Sequence, residues 1–363
     1  MRRTPLIPLA AAAVMLLGTA FAPSANAATE EEVAGGLISP LSLAVAPDGT
    51  AYVAQNFASM LTEAVPGGEQ TDVYADEGGR EVGAVSVEGD ILTFATTGMD
   101  HANPSAHVYQ LGPEGQHQLA NLYKYEKRNN PDGNRKYGIL GLTKSCKSKF
   151  TKHNRWLLPY KGIVESHPYA TNVAGDGVTF VADAAANAIF AVSDAGKVTT
   201  TAVLPATKLT VTRKFRKNMG LPKCSKGKTL KVEPVPTDVE MGPDGNLYVT
   251  TLPGGPEDPS LGANGGIYKV SPSTGATERL TGGLVSPVGL AIAPNGTAYV
   301  SMLFASTILE IPFGGSPAPF AEVPGGPGDV EVIDGYVYAT DSGFMADPAG
   351  PPAGKVLRWS TTE

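Results

Sequence analysis

Seven polar side chains stand where strands of this sequence would end or begin: Gln55, His167, Asp183, Asn187, Asp238, Asp329 and Asp341. Four are carboxylates, and carboxylates that converge on one point can hold a hard divalent cation through oxygen ligands. An Asp at a strand end more commonly accepts hydrogen bonds from the amides of the adjoining loop, so a structural role is the favoured reading of these acids. His101 and His167 lie in loops where either could act as a base, with no partner acid fixed by spacing. Asn129-Asn130-Pro131-Asp132-Gly133-Asn134 is also rich in oxygen, but it lacks the spacing of an EF-hand loop and reads first as a turn. Familiar catalytic patterns are missing: there is no G-x-S-x-G elbow, no H-E-x-x-H, no phosphate loop and no cysteine pair at zinc spacing. No cofactor is called for beyond a divalent cation at the acidic positions.

A second set of residues suits a different chemistry. Lys147, Lys149, Lys152, Arg155 and Trp156 form one basic stretch, and Arg213, Lys214, Arg216 and Lys217 form another. Tyr123, Tyr125, Tyr137, Phe150, Tyr160 and Phe215 are interleaved with them, and cations mixed with aromatics can bind an extended polyanion by charge and stacking. Residues 121–166 and 207–232 together hold 20 of the 28 Lys/Arg but only three of the 35 Asp/Glu, a net +17 that leaves −24 elsewhere. The overall charge of −7 thus hides a strong separation. Such clusters are commonly just solvated or neutralised by nearby acids, and the acidic remainder of the chain is a rival partner, for its own basic segments or for another protein. Each basic segment also carries one of the two cysteines, Cys146 and Cys224.

The elements that position both sets follow from repetition. Residues 35–59 and 282–306 match at 17 of 25 positions, and weaker copies occur at 81–97, 167–183, 235–251 and 327–341. Each copy alternates apolar residues at period two and breaks at a turn such as Asp48-Gly49 or Asn295-Gly296. A second hairpin follows each, which makes four strands per unit and predicts an all-β, six-bladed β-propeller with antiparallel blades. The turn glycines 49, 89, 177, 245, 296 and 335 are spaced by 40, 88, 68, 51 and 39 residues. A blade needs about 40–45 residues, and setting aside the two basic segments brings the two longest gaps to 42 each. These segments are therefore inserts, expected to form one cap on a single face. The last copy lacks a fourth strand, and Glu31-Glu32-Val33-Ala34 matches the fourth strand of another copy, so the N-terminal segment should close the ring. In that architecture the seven polar positions lie at the mouth of the central channel.

Residues 1–27 read as an export signal: Arg2 and Arg3, an apolar run from Leu6 to Phe21, then Ala25-Asn26-Ala27. The expected product is a secreted monomer, residues 28–363 forming one domain with no membrane span. Two thiols entering an oxidising space default to a disulfide, here a staple between the inserts contributing about 4–5 kcal/mol on the chain-entropy model.

Several blocks resemble the ScyD/ScyE family of exported bacterial propellers, which are similar to NHL and gluconolactonase-like proteins. They are Lys124-Tyr125-Glu126 with Asn130-Pro131-Asp132-Gly133, then Glu165-Ser166-His167-Pro168-Tyr169, Val181-Ala182-Asp183 with Asn187, and Val235-Pro236-Thr237 leading into Gly242-Pro243-Asp244-Gly245. The resemblance spans nearly all of residues 28–363 and implies a propeller without naming an activity. His167 replaces the usual Asn, Ala185-Ala186 replaces a glycine-rich pair, and the basic stretches near 135–165 and 208–231 are additional. Gluconolactonase-like enzymes hold a divalent ion at the channel mouth with a Glu and an Asn among its ligands, where this chain presents Leu41-Ser42. The leading expectation is therefore a non-enzymatic binding propeller whose basic cap contacts an extracellular polyanion. A metal-dependent lactonase or lyase is the second reading, and a protein scaffold acting through the acidic rim the third.

Overall fold

A chain that reverses every few residues needs turn residues that tolerate positive φ, and the repeated turns meet this need in one manner. Gly49, Gly177, Gly245 and Gly296 take φ of 87°, 82°, 71° and 85°. The Asp or Asn before each of them (Asp48, Asp176, Asp244, Asn295) accepts the amide of the residue two positions on, the side chain standing in for a backbone turn. The computed structural model describes residues 29–98, 100, 102–256 and 258–361. The expected export signal, 1–27, lies outside the described residues.

Seven four-stranded sheets result, with antiparallel pairing throughout. Six, here I to VI, begin with the strands Pro40–Val45, Glu81–Glu88, Pro168–Val173, Pro236–Met241, Pro287–Ile292 and Pro327–Ile333. These first strands touch one another in a closed circuit, I to II and onward to VI, which returns to I. Five of the six open on proline, tolerated because the first residue of an edge strand need not donate to a ladder. A register shift follows each of these prolines, and the bulge turns the next side chains toward the adjoining sheet. The apolar core lies between neighbouring sheets rather than at one centre. Phe180, Ile189 and Leu204 of sheet III pack against Val239, Val249 and Tyr268 of sheet IV. Leu43 and Val53 of sheet I likewise meet Tyr338 and Val356 of sheet VI.

Sheet VI is completed from the other end of the chain: Glu30–Leu37 pairs antiparallel with Gly354–Ser360. The N-terminal strand falls where the repeat pattern places it.

The seventh sheet is built from both inserts, in the order Tyr160–Lys161, Lys136–Ile139, Thr229–Val232, Thr207–Thr210. Sequence repetition leaves these strands unseen. A sheet this small needs its own interior, and Ile139, Leu142, Phe150, Leu157, Phe215 and Leu230 supply one. Two short helices cover it, Lys144–Lys147 and Arg213–Asn218, each started by a threonine (Thr143, Thr212) whose hydroxyl accepts an amide of the first turn. Cys146 and Cys224 are joined, with Cα atoms 5.9 Å apart at a sequence separation of 78. The start of the first insert behaves differently. The helix Leu122–Asn129 docks on sheet III, where Tyr125 meets Phe190 edge-on at 5.4 Å. Among the described residues no helix is long and apolar enough to cross a membrane.

Candidate functional site

The expected mouth residues divide by what their polar atoms already do. Asp341 takes the amides of Gly343 and Gly325 at 2.9 and 3.2 Å. Gln55 accepts from the Ile38 amide at 2.6 Å and donates to Thr62 at 2.7 Å. Asp183 accepts from the His167 and Ala186 amides at 2.7 and 3.0 Å and from the Ser166 hydroxyl at 2.5 Å. These side chains fasten loops, as strand-end acids commonly do.

Asp238 and Asp329 act between sheets. Asp329 accepts the amide of Leu43, on the first strand of sheet I, at 2.8 Å, and its own neighbour Val330 at 2.9 Å. Asp238 does the same for Leu290, on the first strand of sheet V, and for Val239. Gly289 makes room for this arrangement, since a Cβ there would stand 2.4 Å from Asp329 Oδ1. Burial pushes Asp329 up to about 7, against the pull of the Leu43 and Val330 amides. Asp238 is raised by burial and then by the charges of Asp329 and Glu331, and Glu240 by burial and then by Glu331, Asp238 and Asp329. Glu331 is raised by burial and by Asp329. The first strands of sheets IV and VI thus carry four acids within one another's field, two of which, Glu240 and Glu331, the strand-end reading misses. Their signal was present: Asp-Val-Glu occurs at 238–240 and again at 329–331, and period-two alternation puts both acids of each triplet on one side of the strand. Among the described residues, no three or more His, Cys, Asp or Glu side chains group as a metal set.

His167 has the partner acid that spacing could not supply. Its Nε2 lies 3.0 Å from Glu81 Oε2, and Glu81 Oε1 accepts from Asn56 Nδ2 at 3.0 Å. Sheets I, II and III are thereby linked through one buried carboxylate. Burial alone would lower the His167 pKa, but the hydrogen bond and charge of Glu81, with Asp183 and Glu165 nearby, raise it. Burial would raise Glu81, and His167 and Asn56 bring it below the usual carboxylate range. Both shifts describe the same ion pair. His101 lies outside the described residues.

Asn187 sits at the end of a strand of sheet III in the left-handed region, φ 57°. It donates to Asp132 Oδ2 at 3.0 Å and accepts the Val235 amide at 3.2 Å, holding the first insert to the ring.

The basic set is on the surface. Lys147, Lys149, Lys152, Arg155, Arg213, Lys214 and Lys217 are exposed and Arg216 is half-buried. Arg155 and Arg216 are held by the carbonyls of Phe150 and Leu221. Among the described residues no Lys or Arg of either insert forms an ion pair. Trp156 is 49% exposed with its ring N–H on the His153 carbonyl. Phe150, Phe215 and Tyr137, counted among the stacking aromatics by sequence, are instead buried. The insert sheet also forms an open cleft of about 450 Å³ lined by Lys208, Lys228 and Lys231 with Gly141 and Gly227. Lys208 joins the other two only because its strand pairs with Thr229–Val232, which sets it directly opposite Lys231.

No family model and no curated protein matches this sequence. Solved structures do resemble it. The PQQ-bound aldose sugar dehydrogenase of Streptomyces coelicolor has a TM-score of 0.58 and 11% identity over 93% of this chain and 99% of that one. A luciferin-regenerating enzyme has a TM-score of 0.56 and 10% identity over 92% and 95% of the two chains. A catalytically inactive virginiamycin B lyase from Staphylococcus aureus, solved with quinupristin, has a TM-score of 0.50 and 14% identity over 92% and 99%. At these identities the likeness is one of fold: the chain is a β-propeller.

Proposed function

We propose that this chain is an exported propeller of the ScyD/ScyE kind that binds an extracellular polyanion through its inserts. In this reading sheets I to VI are six blades of one domain, and the disulfide-linked insert sheet is a basic cap on one face. The observation that carries it is the state of the inserts' cations: twenty Lys/Arg with no ion pair among the described residues. Three of them line one cleft. A chain of net charge −7 is repelled by a polyanion unless a local patch outweighs the whole. Retention of the monomeric mature protein on immobilised dextran sulfate at low salt, absent on uncharged dextran, is the expected result. Lys208→Glu with Lys228→Glu and Lys231→Glu should release it at markedly lower salt, because each lost phosphate-like contact flattens the salt dependence. Equal retention on both supports, or none on either, overturns the reading.

One observation favours a second reading, lactonase- or lyase-type chemistry at the channel mouth. It is the His167–Glu81 pair, an imidazole held by a buried acid in a fold shared with enzymes. Turnover of a lactone panel that disappears in His167→Gln would move this reading ahead of the first.

A further inference from the structure

Beneath the insert, two buried acids lack what the ring acids possess. Glu126 and Leu122 are four residues apart and share the helix face turned toward the ring; both are fully buried, at 0% exposure. Neither carboxylate oxygen of Glu126 makes a hydrogen bond of ordinary length, the Glu165 backbone amide exerting only a weak pull on it. The helix then ends at Asn130, in the left-handed region with φ 36°, and Asp132, in the turn that follows, lies close enough for its charge to act on Glu126. Asp132 is 1% exposed. Its Oδ2 accepts from Tyr137 at 3.0 Å and Asn187 at 3.0 Å, while its Oδ1 has no partner. The side-chain oxygen of Asn130 is likewise buried and unpartnered. Four oxygens therefore face the interior without a hydrogen bond of ordinary length.

The surrounding backbone is shaped around them. A Cβ at Gly162 would come within 1.9 Å of Asp132 Oδ1, so only glycine lets the chain after Tyr160–Lys161 close over the carboxylate. Asn130 Nδ2 reaches the Gly162 carbonyl at 3.4 Å. Burying an ionised carboxylate without pairing costs several kcal/mol, and no Lys or Arg among the described residues forms an ion pair with either one. A cation relieves all of these strains together. Hard carboxylate and amide oxygens of this kind are the ligands that calcium takes six to eight of, with water and backbone carbonyls completing the shell.

We propose that Glu126, Asp132 and the side-chain oxygen of Asn130 form a calcium-class divalent cation site that joins the first insert to the ring. It is separate from the channel acids, and it has two carboxylates plus neutral oxygens rather than three acids. It does not depend on polyanion binding, since the exposed lysines and these buried acids are different residues.

The test is calorimetric titration of calcium chloride into the chelator-treated mature protein, with terbium luminescence excited through tyrosine as a second readout. Tyr137, which donates to Asp132, is the expected sensitiser. One calcium per chain, tyrosine-sensitised terbium emission, and at least tenfold weaker binding in both Glu126→Gln and Asp132→Asn are the expected results. Glu126→Gln keeps the side-chain shape, so the variant should fold. No calcium uptake by the folded wild-type protein overturns the proposal. Uptake that survives both substitutions but is lost in Asp238→Asn also overturns it, and assigns the ion to the channel.

Discussion

The ring and the inserts bury acids in opposite ways. In the ring, Asp238 and Asp329 each accept two backbone amides, one from the neighbouring sheet. Beneath the inserts, Glu126 has no hydrogen bond of ordinary length, only a weak pull from the Glu165 amide, and Asp132 leaves one oxygen bare. Equal burial and equal chemistry thus serve two purposes, and the supply of amide donors separates them. A first strand facing its neighbour across a bulge offers free N–H groups, whereas a helix face has its amides already committed to its own turns. Acids in the ring hold the fold together; acids under the helix await a partner of another kind.

Breaking the inserts' covalent link should have the largest effect. Replacing Cys146 and Cys224 by alanine removes a cross-link spanning 78 positions, and the chain-entropy model puts the loss at roughly 4–5 kcal/mol. Urea unfolding should show it, and limited proteolysis should cut the inserts before the ring; simultaneous loss of both regions would erase the distinction drawn here. Next comes Asp329→Ala, which strands the buried amides of Leu43 and Val330 and should cost about 2–4 kcal/mol, read from the same transition. Gly289→Ala forces a methyl group against that carboxylate, and overpacking of this sort costs about 1–3 kcal/mol. An unchanged midpoint in either variant would mean that the staple is slack.

The smallest expected effect has a pH signature. The His167 pKa is raised in the folded chain, so its contribution is complete below the ordinary value of about 6.5 and fades as pH climbs through the folded value. The Glu81 pKa is lowered, so its contribution is complete above about 4.3 and fades as pH falls through the folded value. Between those limits the pair is fully effective. His167→Gln should therefore cost about 1 kcal/mol near pH 5.5 and almost nothing at pH 9, and a pH-independent difference would show that the imidazole acts only by packing.

Much of the ring was legible because each of its signals is local. The near-identity of 35–59 and 282–306, the Asx-Gly turns and the residue spacing all survive in one dimension. The inserts yielded their charge and their disulfide, but not their sheet. Lys136–Ile139 and Thr229–Val232 are four-residue strands whose partners lie far along the chain, and nothing in so short a run declares pairing. Phe150 and Phe215 looked like surface stackers because they are surrounded by lysine, yet a small sheet with little core must bury its few aromatics. Glu126 escaped notice for a related reason: its inward direction follows from Leu122 only once the helix is known.

The seam in sheet VI has a consequence in time. Glu31 and Arg358, paired across it, are 327 positions apart, so the contact that completes the circle joins the earliest part of the described chain to nearly the last. Local hairpins form in microseconds, whereas closing so long a loop is slow and weakly driven until both partners exist. Until that contact forms, sheet VI keeps a raw edge and the circuit stays open. The decisive event in its folding is then a rendezvous of the early strand with its late partner.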